Sequence, residues 1–139
     1  MSGIRGKNTK PELLIRKGLH ARGFRYRLHS GKVTGKPDLV LPRFNAVIFV
    51  HGCFWHSHDC HLFRMPSTRT EFWQTKLERN RQRDDEVRSA LRSAGWRILV
   101  IWECALKGRT RLDLKAVLDD AAAWITGNSA EGVIEGIAS

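Results

Sequence analysis

Residues 37–53 read PDLVLPRFNAVIFVHGC. Two apolar runs, Leu39–Leu41 and Ala46–Val50, flank Pro42-Arg43-Phe44-Asn45, a tight connection built from turn residues. A link of that length joins neighbouring antiparallel strands, so Pro37–Leu41 and Ala46–Val50 form a hairpin. The second run is apolar throughout, which marks a strand buried on both faces of a sheet. Pairing Leu41 with Ala46 sets Asp38 opposite Phe49, beside Val50 and His51.

Outward from the hairpin, residues 71–94 carry Trp73, Leu77, Asn80, Asp84, Val87, Leu91 and Ala94 at alternating spacings of four and three, one face of a long helix. Gly95 closes it, and Trp96–Trp102 (WRILVIW) is another apolar strand. Strand, helix and strand make a βαβ unit with its two strands parallel. Upstream, Thr9-Lys10-Pro11-Glu12 has the form of a helix start with a capping box, and Gly23 ends that helix. Phe24, Tyr26 and Leu28 alternate with Arg25 and Arg27 as a half-buried strand. Residues 112–126 place Leu114, Val117, Leu118, Ala121 and Ile125 on one helical face. Residues 127–139 (GNSAEGVIEGIAS) have the composition of a flexible tail. The pattern is that of one α/β domain over residues 1–139, with a core at about 9–126 and a mixed central sheet flanked by helices.

A chain of 139 residues is long enough to bury a real core. It carries 24 Lys and Arg against 14 Asp and Glu, a formal charge of +10. The excess is lopsided: residues 1–36 hold ten Lys or Arg and a single acid, Glu12. Such a basic end suits a polyanion, nucleic acid first among them; plain solubility is the bland alternative. No apolar run approaches the ~18 residues that a bilayer span needs. Three cysteines, an odd number without a secretory signal, point to free thiols or metal rather than to a disulfide framework.

The chemistry concentrates in residues 51–61, HGCFWHSHDCH, which hold four of the six histidines and two of the three cysteines. Cys53, His58 and Cys60 have the ligand types and compact spacing of a zinc site, with His61 or His56 as alternatives to His58. Cys104 is the fourth ligand by topology. Parallel strands end at one edge of the sheet, and Cys53 and Cys104 lie just past the ends of two such strands. Three Cys and one His make a closed, structural site. Asp38, in register with Val50, can hold a divalent cation together with the Val50 backbone carbonyl, water and phosphate oxygens; magnesium suits so oxygen-rich a set. His56 lies close to Asp38, and a neutral imidazole with a pKa near ~6.5 can deprotonate water. His51 could assist, or both imidazoles could simply support the zinc. Asp84 and Asn80 on the inner helix face either orient an imidazole of this site or pair with Arg81 or Arg83. Glu12 is either a helix cap or a carboxylate near the metal. Phe54, Trp55 and Trp73 could wedge between base pairs, while Trp73 could equally head the core stripe and Phe54 cover the zinc.

Pro37-Asp38 followed a dozen residues later by the next strand resembles the PD…(D/E)xK nuclease pattern, with Phe49-Val50-His51 standing where (D/E)xK would be. The second carboxylate and the lysine are both absent. More closely, AVIFVHGCFWHSHDCHLF (46–63), TRTEFW (68–73) and GWR through WEC (95–104) resemble the very-short-patch-repair DNA mismatch endonucleases, over about residues 3–126. The resemblance implies a zinc-containing restriction-endonuclease-like fold and magnesium-dependent nicking 5′ of the T in a T:G mismatch, the product of 5-methylcytosine deamination. It implies Asp38 as metal-binding carboxylate beside the Val50 carbonyl, and His56 as general base. Glu12, His51 and Asp84 would be supporting catalytic residues. Cys53, His58, Cys60 and Cys104 would be the zinc ligands, and Phe54, Trp55 and Trp73 the intercalating wedge. It further implies a bacterial, cytoplasmic, nucleoid-associated monomer acting on duplex DNA, with mismatch-repair proteins and a repair polymerase as partners and a basic arm ahead of the point where this chain begins. Two other readings start from the same residues: a nicking enzyme of broader mismatch or sequence range, and a zinc-stabilised DNA-binding module without catalysis.

Overall fold

The hairpin forms as its sequence dictates. In the computed structural model, which describes residues 10–28, 33–53, 64–108 and 110–136, β2 (Leu39–Leu41) pairs antiparallel with β3 (Ala46–His51), Leu41 facing Ala46 and Leu39 facing Ile48. Between them Pro42–Phe44 makes a 3-10 turn, and Asn45, in the left-handed region at φ +53°, returns its N–H to the Pro42 carbonyl. Asn is one of the few residues that accept this conformation readily.

On the other side of β3 the pairing turns parallel. β4 (Arg97–Trp102) runs alongside it from Ala46↔Arg97 to His51↔Trp102, and the crossover is a helix, α2 (Thr70–Ser93). β1 (Arg27–Leu28) adds antiparallel to β2, and β5 (Glu131–Ile134) adds parallel to β4. The result is a mixed five-stranded sheet in the order β1-β2-β3-β4-β5. The two remaining helices are α1 (Lys10–Ala21) and α3 (Leu114–Thr126).

Alternation along the strands sorts side chains onto two faces. Leu39, Leu41, Ile48, Leu99 and Ile101 point to the first, where Ile15 and Leu19 of α1 and Val117, Leu118, Ala121 and Ile125 of α3 cover them. Gly18 allows the two helices to close up, because a Cβ there would lie 2.3 Å from the Leu118 side chain. Val40, Val47, Ile98 and Val100 point to the second face, where Leu91 and Val87 of α2 pack on them. Among the described helices α2 alone serves that face. Its 24 residues span roughly 36 Å, against roughly 20 Å for the six residues of β4. Its C-terminal half therefore covers the sheet, and its N-terminal half overhangs the edge where β3 and β4 end.

Two expectations are corrected. The segment expected to be a flexible tail supplies β5: Ile134 is buried in the first-face core, and Arg97 donates to the Ser129 carbonyl at 2.9 Å. The strand expected across 24–28 shrinks to Arg27–Leu28, both exposed. Phe24 and Tyr26 instead tuck against the core as the chain leaves α1, and the Tyr26 hydroxyl donates to the Arg16 carbonyl at 2.7 Å.

Candidate active site

Asp38 is the organising residue. It is 8% exposed, and its Oδ2 accepts the Val50 N–H at 2.7 Å. In extended backbone one residue's N–H and C=O point to the same side, so the Val50 carbonyl also faces β2. Continuing the hairpin register by two residues puts Pro37 opposite Val50. Proline has no N–H to give that carbonyl. Pro37 thus ends the ladder, and Asp38 occupies the donor that the ladder no longer uses.

Glu12 of α1, 1% exposed, hydrogen-bonds the Asp38 carboxyl, and Arg16 reaches its Oε2 at 3.3 Å. The carboxyl is therefore turned inward toward Asp38, while Thr9, the residue a capping box would join it to, lies outside the described residues. Burial pushes the Asp38 pKa up to about 7; the charge and hydrogen bond of Glu12 push the same way, and the Val50 N–H pulls against them.

A cleft of about 260 Å³ opens beside Asp38 on the second face. Asp38, Val50, His51 and Asp84 all line it, together with Lys36, Arg83 and Arg88. Asp84 reaches it because the polar positions of the α2 stripe fall where the helix passes the ends of β3 and β4, beyond the apolar contacts of Val87 and Leu91. The His51 ring is held edgewise between Phe49 and Trp102, with ring centres 5.4 and 5.2 Å away.

The two described cysteines stand where the topology puts them. Each lies two residues beyond the paired rung His51↔Trp102, and Cys53 and Cys104 are 0% and 1% exposed. Their backbone surroundings are polar: Glu103 Oε1 accepts the Cys53 N–H at 3.1 Å, and the Gly136 N–H donates to Cys104 Sγ at 3.3 Å. An N–H aimed at sulfur is a contact that a thiolate ligand favours, so the pair fits a zinc site. Among the described residues no three His, Cys, Asp or Glu side chains gather closely enough to hold a metal unaided. His56, His58, Cys60, Phe54 and Trp55 lie outside the described residues. Trp73 sits half-buried in the first turn of α2, edge-on to the exposed Phe72 at 5.3 Å, and Arg69 stacks over Phe72 at 4.6 Å.

Several residues of this region escape a reading by motif. Lys36 and Arg83 belong to no recognised spacing, and Glu103 and Gly136 act through backbone contacts. The one available signal was adjacency, since Lys36 precedes Pro37-Asp38 and Glu103 precedes Cys104.

Residues 1–62 match the family model described as DNA mismatch endonuclease Vsr. Over 121 residues the chain is 44% identical to the type II nicking enzyme V.XorIIP of Xanthomonas oryzae pv. oryzae, covering 86% of this chain and 89% of the relative. It is 41% identical over 135 residues to the DNA mismatch endonuclease Vsr of Escherichia coli K12, covering 97% and 86%. The type II nicking enzyme V.NmeAIP of Neisseria meningitidis is 43% identical over 109 residues, 78% of each chain. A mixed α/β sheet with these relatives makes the chain a DNA endonuclease. It belongs to the Vsr family of DNA mismatch endonucleases.

Proposed function

We propose that this protein nicks duplex DNA 5′ of the T in a T:G mismatch by magnesium-dependent phosphodiester hydrolysis, initiating very short patch repair. The observation that carries the reading is the Asp38 carboxylate fixed at 2.7 Å on the Val50 N–H, with the Val50 carbonyl turned to the same side and His51 and Asp84 on the same cleft. Asp38 and that carbonyl would hold the cation, completed by water and phosphate oxygens. When bound, magnesium supplies positive charge against the phosphate and the departing oxygen.

The chain's own residues do the rest. His56 takes a proton from water as its oxygen bonds to phosphorus; the P–O3′ bond breaks, leaving a 5′ phosphate, and the 3′ oxygen picks up a proton. Glu12 holds Asp38 in place from behind, and the aromatic walls around His51 fix that imidazole at the cleft. Asp84 presents a second carboxylate from α2. Cys53, His58, Cys60 and Cys104 would hold a zinc whose role is to cross-link the ends of β3 and β4. Phe54, Trp55 and Trp73 would enter the stack beside the mismatch, Trp73 from the overhanging end of α2. Among the described residues no helix is long and apolar enough to cross a membrane, and a substrate of chromosomal DNA places the protein in the bacterial cytoplasm at the nucleoid, working as a monomer ahead of mismatch-repair proteins and a repair polymerase.

The test is nicking of otherwise identical T:G and T:A duplexes with magnesium. The T:G strand is cut 5′ of the T to a 5′-phosphate product, and Asp38→Ala and His56→Ala each cut far more slowly. Wild-type rates in either variant would sink the mechanism. Equal cutting of all mismatches across several flanking sequences would replace the T:G assignment with the broader one.

A further inference from the structure

We propose that Lys36 is a phosphate-binding residue of the reaction, its ammonium held against the scissile phosphodiester by a strained turn. This rests on reading the cleft as the site of cleavage. Asp38 and Asp84 line that cleft, with the carboxyl of Glu12 directly behind Asp38. A phosphodiester entering it meets like charge on both walls, so cations must face the same space for it to dock. Arg83 and Arg88 line the α2 wall, and Lys36 lines the wall that carries Asp38, two residues before it in the chain.

The backbone at Lys36 is unusual. It sits in the left-handed region at φ +47°, directly after Gly35 at φ +80°. The turn is closed by the Lys36 N–H on the Val33 carbonyl at 3.0 Å. It is also wedged against α2: a Cβ on Gly35 would lie 2.3 Å from Val87 Cγ1. Glycine serves the first of these two positions, but the second keeps a long cationic side chain where Gly or Asn would fit the backbone better. Non-glycine residues held in such conformations collect at functional sites. Here the conformation sets the start of a cationic side chain on the cleft rim, next to Asp38. As the water oxygen bonds to phosphorus and P–O3′ breaks, negative charge grows on the non-bridging oxygens, and an ammonium reaching them from that rim stabilises it.

Lys36→Asn separates this role from a structural one, because Asn accepts a left-handed backbone while it removes the cation and its reach. In full-length protein on a T:G duplex, Lys36→Asn melts at or above the wild-type temperature. Its single-turnover nicking rate at saturating enzyme falls about 10²-fold, and binding measured without magnesium weakens only a few-fold. Lys36→Arg, which restores a cation, recovers most of the rate, and Lys36→Met repeats the loss should the Asn variant fold poorly. The proposal is overturned by a wild-type single-turnover rate in Lys36→Asn, by a loss confined to binding, or by equal losses of melting temperature and rate in the Asn and Arg variants. Wild-type nicking by Asp38→Asn measured alongside would instead overturn the cleft as the site.

Discussion

At the scale of single residues, Asp38 works against stability. A carboxyl raised from an ordinary 3.8 to about 7 binds more protons in the fold than in the unfolded chain across that interval. Stability from this group is therefore present at low pH and lost as pH climbs through it, on the order of a few kcal/mol by pH 8. Asp38→Asn keeps an oxygen for the Val50 N–H and removes the charge. By calorimetry it should melt with the wild type at pH 3, below both values, and about 10 °C or more above it at pH 8, while nicking is lost. Magnesium at pH 8 should narrow the gap by stabilising only the wild type. A variant that melts with or below wild type at pH 8 would contradict the assignment. The Asp38–Val50 pairing was legible in the sequence because a four-residue link fixes register locally. The inward turn of Glu12 was not, since it depends on how α1 docks on the sheet. Nor was the exposure of Lys36 to the cleft, which depends on Gly35 meeting Val87 across 52 positions of chain.

Elements were legible where periodicity ran long: α2, α3, β3 and β4 all lie within two residues of their expected limits. β5 was invisible because four residues with a glycine carry almost no pattern, and its strand character comes from β4. Arg97 joins that strand to its surroundings. Its guanidinium donates to the carbonyls of Trp124 at 2.6 Å and of Ile125 and Phe44 at 3.1 Å, and stacks on the Trp124 ring at 4.4 Å. With the Ser129 bond, one side chain ties the hairpin turn, the C-terminal end of α3 and the approach to β5. A cation at a helix C-terminus is favourable in its own right. Arg97→Met keeps the stem and leaves those carbonyls without their donor. The expected loss is about 2–3 kcal/mol in urea unfolding, with hydrogen-exchange protection lost first in β5. An unchanged midpoint would show that water replaces the guanidinium at no cost.

For the whole molecule the decisive asymmetry is between the two faces. Among the described residues α1 and α3 cover the first and a single overhanging helix serves the second, where the cleft beside Asp38 opens. The sheet edge where β3 and β4 end holds, among the described residues, the two buried cysteines, the polar contacts of Glu103 and Gly136, buried Ala105 and the half-buried start of α2. A zinc bound through Cys53 and Cys104 would brace it further, and its binding free energy would be folding free energy for that end of the domain. The strands and both sealing helices have their own core on the first face. Stripping zinc should therefore melt the site end first, rather than unfold the chain outright as in a zinc finger. Purified protein should contain one zinc per chain. Removal by a strong chelator should lower the melting temperature by 10 °C or more, on the order of several kcal/mol, and abolish nicking even with magnesium in excess. Both Cys53 and Cys104 should then react with a thiol reagent that fails to reach them in the zinc-loaded protein, and adding zinc back should restore melting and nicking together. A stripped protein that melts unchanged and keeps both thiols protected would mean that packing alone braces this edge.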